Sequence, residues 1–260
     1  MNNVQITDWL TSLETSVKAT NRPYLDVIVD QSGTKLPLIP ALQSFQSEFE
    51  WCSLFRGLPE EMAADAAPIL MRIDLTQPDQ RLWMQEVILH FGGQSLLLVF
   101  CSLWSFEHLS RYLIQCVDAT YSGKAGILRF FNPHIFPVLL SHVLDEEQQQ
   151  KFLRPALFWS WLDRDGVLRS ILGKGDPESA HGIIEKINLT DKQLERLSCV
   201  SDAHLLVLGL NRNEYPGATL EQLFSNCYVL MLEASDAHIL LDDDRESFVL
   251  ARLKSRLSQE

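Results

Sequence analysis

Residues 126–143 read GILRFFNPHIFPVLLSHV, and their reading sets the fold class. Residues 127–131, apolar except for Arg129, have the look of a strand. Asn132 and Pro133 follow at once. Asparagine is a favoured helix N-cap and proline suits the first helical turn, so the run feeds directly into a helix. Phe136, Leu139, Leu140 and Val143 recur at helical spacing and predict its buried stripe. Pro137 has no N–H to donate, which predicts a kink or a fresh start there.

The same strand-then-helix grammar extends upstream. Residues 7–17 predict a helix burying Trp9, Leu10, Leu13 and Val17. Residues 24–29 are a β-rich run closed by Asp30, Ser32 and Gly33. A short helix is expected within 36–45 and strand formers fill 49–55. Residues 59–67 suggest an acidic helix start, and 69–73 a strand closed by Asp74. Residues 80–91 predict a helix stopped by Gly92 and Gly93. Residues 95–101, apolar without a break from Leu96 on, read as a strand buried on both faces. Ser105 is placed to cap the next helix, whose face is Leu109, Tyr112, Leu113, Cys116 and Val117. Gly123 and Gly126 break it.

Downstream, Asp145 and Gln148 suit a capping box. Residues 157–162 and 167–172 flank Asp163-Arg164-Asp165-Gly166 and predict a β-hairpin. Gly, Pro and charged residues then cluster over 173–179. Beyond them the pattern turns helical, with Thr190/Gln193 and Thr219/Gln222 as further capping boxes and Asp242–Asp244 opening a last helix to Leu257. Strand–helix alternation favours a mixed, largely parallel sheet with flanking helices. The expected organisation is an α/β lobe over 1–172, a linker over 173–179 and an all-helical lobe over 180–260.

Composition narrows the function classes. The chain has 260 residues, 46% of them hydrophobic, and a net charge of −12. Residues 173–260 carry nine Lys/Arg against fifteen Asp/Glu, half of the excess in a third of the length. An acidic chain argues against nucleic acid and anionic membrane as general partners, since both need a basic footprint. The five cysteines are odd in number and dispersed, which suits reduced thiols in a cytoplasm. No apolar signal region opens the sequence and its longest apolar run is far too short to span a membrane. A cytoplasmic location is expected.

Catalytic motifs do not assemble. Ser122-Gly123-Lys124 and Gly173-Lys174-Gly175 lack the remaining P-loop residues. No Gly-x-Ser-x-Gly elbow is present. His134 and His142 stand eight apart without an acid or thiol at metal-ligand spacing, and His90 and His108 read as helix-flanking residues. Asp26 and Asp30 share a strand face and could serve acid–base chemistry, although Asp30 equally ends the strand. Asp242–Asp244 suit a helix dipole better than a cation. No catalytic residue, metal or cofactor is expected.

The segment from Arg129 to Pro133 resembles the hallmark of the type VI secretion adaptor family, effector chaperones long catalogued as a domain of unknown function. Arg129, Phe130, Phe131 and Pro133 match it, whereas Asn132 stands for the usual acid and His134 for the usual arginine. Other pieces follow in order: Tyr24 to Asp30, Leu54-Phe55 with Gly57, residues 68–73, residues 91–111, and Phe158-Trp159. The resemblance covers about residues 24–172. It implies a protein that binds a toxic effector and helps load it onto the secretion spike. Arg129, His134, Trp104 and Asp30 are the candidate partner-binding residues, with Asn132 and Pro133 as structural motif. Trp104, just past a strand end, is equally an interface anchor or a core-edge residue. The two lobes are expected to wall a binding cleft. An immunity protein that neutralises a toxin, and an enzyme using Asp26 and Asp30, are the alternatives.

Overall fold

The structure is a computed structural model that describes residues 3–257 except 33, 35–37, 46–48 and 179–184. Gly33, Leu36, Pro37 and Ser179 of the sequence reading lie outside the described residues.

The main sheet has six strands in the order β2 (Trp51–Ser53), β3 (Pro68–Asp74), β1 (Tyr24–Asp30), β4 (Leu97–Ser102), β7 (Ala156–Leu162) and β8 (Leu168–Leu172). Every pairing in it is antiparallel, which corrects the expected largely parallel sheet. The cause is visible in β1, which pairs with both β3 and β4. The helix α3 (Pro78–Phe91) does cross from one strand to a parallel one, β3 to β4, but β1 lies between them. Helices cover both faces, so β4 is buried at every position, as a strand in a parallel sheet would be. The apolar run reports two-sided burial and not strand direction.

Alternation along β1 shows how the layers are filled. Leu25, Val27 and Val29 face a layer made of α1 (Asn3–Ala19), α2 (Leu38–Ser44) and α3, where Trp9, Leu13, Leu42, Met84 and Ile88 are buried. Asp26, Ile28 and Asp30 face the opposite side. There α4 (Phe106–Val117) buries all five residues of its expected stripe. Phe100 stacks on Trp159 at 4.1 Å, and Phe136 packs on Trp159 at 4.8 Å. Removing so large a buried ring costs about 3–5 kcal/mol.

Residues 127–131 are not a strand of their own. After α4 the chain forms a hairpin of β5 (Asp118–Tyr121) and β6 (Lys124–Ile127), turned by Ser122 and Gly123 at φ 49° and 80°. Two positive φ values are what a two-residue type I′ turn needs. The ladder stops because β5 begins at the end of α4: the Leu128 amide bonds Val117 and no partner strand remains. Leu128, Phe130 and Phe131 instead pack into the core from an irregular turn. β9 (Ile187–Leu189) adds to β5 in parallel, so Ile187 and Leu189 enter the core of the α/β part although they lie beyond the expected boundary. Of the expected helix start over 59–67, residues 59–62 and 64–66 form two short 3-10 turns with no buried residue, and Ala67 alone enters the core.

Three capping boxes form as read, at α6 (Glu146–Leu153), α7 (Asp191–Gly209) and α8 (Leu220–Asp236). Helices α7, α8 and α9 (Asp242–Leu257) make a third core around Cys199, Leu223, Phe224, Cys227 and Val249. Val138 belongs to that core while its neighbours Phe136 and Leu139 belong to the sheet core. The short helix α5 (Phe136–Val138) and the π-turn of Leu139–Val143 that continues it therefore serve both bodies.

Candidate partner-binding site

Asp30 ends β1 on the sheet face opposite α1, fully buried. Its carboxylate accepts from Arg129 at 2.9 Å, from the Ser32 hydroxyl at 2.6 Å and amide at 3.2 Å, and from the Asn132 carboxamide at 3.3 Å. Arg129 also donates to the Ser32 hydroxyl at 2.8 Å. Asn132 performs two tasks. Its oxygen accepts from the His134 and Ile135 amides, as an N-cap does, and its NH2 group points at Asp30. An aspartate there would set a second carboxylate against Asp30. Asparagine accepts from the turn amides and donates to Asp30 instead. The Arg129 side chain remains half exposed.

The other two candidates are placed differently. Trp104 is only 4% exposed. Its indole N–H donates to the Asp176 carbonyl at 2.8 Å, and its ring meets Tyr112 at 4.9 Å and His108 at 5.1 Å. In this conformation it anchors a strap. The strap is the described part of the linker, residues 173–178, which bonds through its amides to Leu157, Leu153, Ala156 and Arg154. Gly173 runs so close to the Ala156 carbonyl that a Cβ would lie 1.9 Å from its oxygen. Glu178 then accepts from the Ser105 amide and hydroxyl and stands 3.0 Å from His108 Nδ1. The Ser105 side chain thus does not cap its own helix. The Glu178 carboxylate takes that place, lowered in pKa first by the Ser105 amide.

His134 sits in the joint between the sheet and the helical bodies. Its ring lies 6.0 Å from His204 on α7, and its carbonyl accepts from Arg164. Burial, with the charge of Arg164, lowers its pKa to about 3. Arg164 is the centre of this joint and was not singled out by the sequence reading. It bonds both Glu221 oxygens at 3.1 and 3.0 Å and covers the Phe224 ring. In the same turn, Asp165 accepts from the Leu220 and Glu221 amides, capping α8 from another body. Gln193 of α7 reaches the Val143 carbonyl, and His142 meets Tyr228 edge-on at 5.3 Å. The hairpin turn Asp163–Gly166 thus holds the two bodies together. Its only sequence signal was a turn richer in charge than a turn needs.

Asp26 and Asp30 do not converge. Asp26 is held by Arg72 at 2.7 and 3.1 Å and by the Ser102 amide at 3.0 Å. Burial pushes its carboxyl up to about 6, against the pull of Arg72. Four strand residues separate the two acids by roughly 13 Å. Each has its own arginine.

The helical bodies carry open surface. Two adjoining hollows between α7 and α9, with Met231 of α8 in the lining, are walled by Leu205, Leu206 and Leu250 and edged by Asp202, Asp242, Glu246 and Glu214 against Arg245, which pairs with Asp202, and Lys254. Leu205 and Leu208 are 66% and 69% exposed. Among the described residues, no helix is long and apolar enough to cross a membrane.

An antiparallel main sheet between two helical layers, bolted through a hairpin turn to further helices, defines an α/β protein. Within it, residues 27–151 match the family model described as a domain of unknown function (DUF4123). The match runs from β1 into α6, just under half of the chain, and contains Arg129, Asn132 and Pro133. No curated protein and no solved structure matches the chain.

Proposed function

We propose that the protein is an adaptor that binds a cognate type VI secretion effector and helps load it onto the spike protein, acting in the cytoplasm and without catalysis. The family match over residues 27–151 carries this reading, because DUF4123 is linked to type VI secretion effector adaptors. The surface is in keeping with it. Exposed leucines beside these largely acid-edged hollows suit an amphipathic helix of a protein partner with basic flanks. Asp26 and Asp30, neutralised separately, speak against a shared reaction centre.

Co-expression with the effector encoded beside it gives, on this reading, a complex that co-elutes on size exclusion and captures the spike protein. Failure to bind either one overturns it. Deletion of the gene separates adaptor from immunity protein: an adaptor mutant stops attacking but survives contact with its kin. Replacing Leu205 and Leu208 with Asp, on the exposed face of α7, is expected to abolish effector capture while leaving the fold intact.

A further inference from the structure

We propose that two copies of this chain associate through the free edge of β8, joining their sheets into one. Such an association would hold whether or not the protein is an adaptor.

β8 is the outermost strand of the main sheet, and among the described residues nothing pairs with its outer side. The ladder to β7 fixes which groups that side presents. The Asp163 amide bonds the Val167 carbonyl and the Gly173 amide bonds the Leu157 carbonyl. Antiparallel pairs alternate between bonded and non-bonded. With Leu162 opposite Leu168, Ser160 opposite Ser170 and Phe158 opposite Leu172, these three are the non-bonded pairs. The N–H and C=O groups of Leu168, Ser170 and Leu172 therefore point outward, unmatched. Their side chains share one sheet face, and Leu172 is 85% exposed.

Sheet edges are ordinarily protected by shortness, charge, proline or a bulge. At the opposite edge β2 has only three residues, and of the two edge strands of the small sheet β9 has three residues and β6 begins with Lys124. β8 has five residues, a continuous register and two exposed leucines. Such an edge calls for an extended strand.

The sequence Leu168-Arg169-Ser170-Ile171-Leu172 is self-complementary about Ser170. A two-fold axis there sets Leu168 opposite Leu172 of the other copy, Ser170 opposite Ser170, and Arg169 opposite Ile171. No like charges meet. Arg169 already bonds the Asp163 carboxylate at 2.8 Å, so it needs no acid from the partner. The three outward residues on each copy form about six new backbone hydrogen bonds. The leucines cluster on the α1 side, where Trp9 of α1 donates to Ser160 and the helical layer reaches β7.

Light scattering of the purified full chain at about 100 μM, where a weak interface is populated, is expected to give twice the 29.7 kDa of one copy. Ser170→Pro removes an outward N–H, a change edge strands tolerate, and is expected to give the single-chain mass with unchanged circular dichroism. Leu172→Lys serves the same purpose if the proline variant fails to fold. Ser170→Cys is expected to be joined to its copy across the axis by a short bis-maleimide, since a bonded pair sets the two side chains about 5.5 Å apart. A monomeric wild type, a dimer that survives both edge variants, or no cross-link through Cys at 170 overturns the proposal.

Discussion

The guanidinium of Arg164, in the β7–β8 turn, lies 3.3 Å from the centre of the Phe224 ring on α8. The same group grips both Glu221 oxygens one turn earlier. A planar fork that stacks and pairs at once is a job lysine cannot do. Burial lowers the Arg164 pKa and Glu221 counters it, as in a desolvated pair. Arg164→Ala is expected to cost about 2–4 kcal/mol, because Glu221 and the His134 carbonyl lose their donor. Arg164→Lys should recover little. Urea unfolding followed by tryptophan fluorescence measures both, and a loss below about 1 kcal/mol for the alanine variant would show that the bodies are joined elsewhere.

His134 makes the joint acid-sensitive. Its folded pKa, about 3, lies below the ordinary histidine value of 6.5, so the unfolded chain binds the proton first. Its contribution is complete above 6.5 and is lost as pH falls toward 3. The slope reaches about 1.4 kcal/mol per pH unit inside that window. His134 Nε2 is also buried with no hydrogen-bond partner among the described residues. In His134→Leu, the stability lost between pH 6.5 and 4.5 should shrink by about 2 kcal/mol relative to wild type. Parallel pH curves for the two proteins would refute this.

The Asp30 cluster should respond asymmetrically. Asp30 is fully buried and organises Ser32, Arg129 and Asn132, whereas Arg129 is half exposed. Asp30→Ala is expected to destabilise by about 2–4 kcal/mol, and Arg129→Ala by about 1 kcal/mol. Thermal unfolding of the two variants tests the order. If effector capture falls in the Arg129 variant while its melting temperature hardly moves, the exposed half of that side chain contacts the partner.

Trp104 should govern the strap. Trp104→Phe keeps most of the ring packing and removes the bond to Asp176, at a cost of about 1 kcal/mol. Trypsin should then cut after Lys174 faster than in wild type. Unchanged cleavage would mean that the strap amides hold residues 173–178 without the indole.

The five cysteines are free and buried. Burial pushes the Cys52 and Cys101 thiols up to about 11 and Cys227 up to about 12. The native protein is expected to resist a thiol reagent at pH 8 and to show five reactive thiols once unfolded. Rapid labelling of the native chain would contradict the buried positions.

Local chemistry was legible in the sequence wherever a motif carries its own partners. The boxes at Asp145, Thr190 and Thr219 closed as read, because each needs only residues three apart. The stripes of α1 and α4 and the β7–β8 hairpin follow from periodicity and turn chemistry, whereas Asn132 closes a turn and the helix expected from Pro133 starts only at Phe136. Strand direction was not legible, since burial on both faces gives β4 the same apolar run whichever way its neighbours point. The β5–β6 hairpin was hidden by glycines that also end helices. For the candidate site, Arg129, Asn132 and Asp30 were singled out separately, yet their meeting spans about a hundred residues. Trp104 and His134 were visible as residue types, but their burial depends on a strap and on a helix that fold back from the far end of the chain. Arg164 had no local signal, because its partners Glu221 and Phe224 lie on α8. The sequence by itself determined the elements, their caps and their apolar faces, all set by neighbours within a few positions. Only the tertiary structure decided the sheet's direction, the joint and the free edge of β8, because these rest on backbone and charge pairings between segments far apart in the chain.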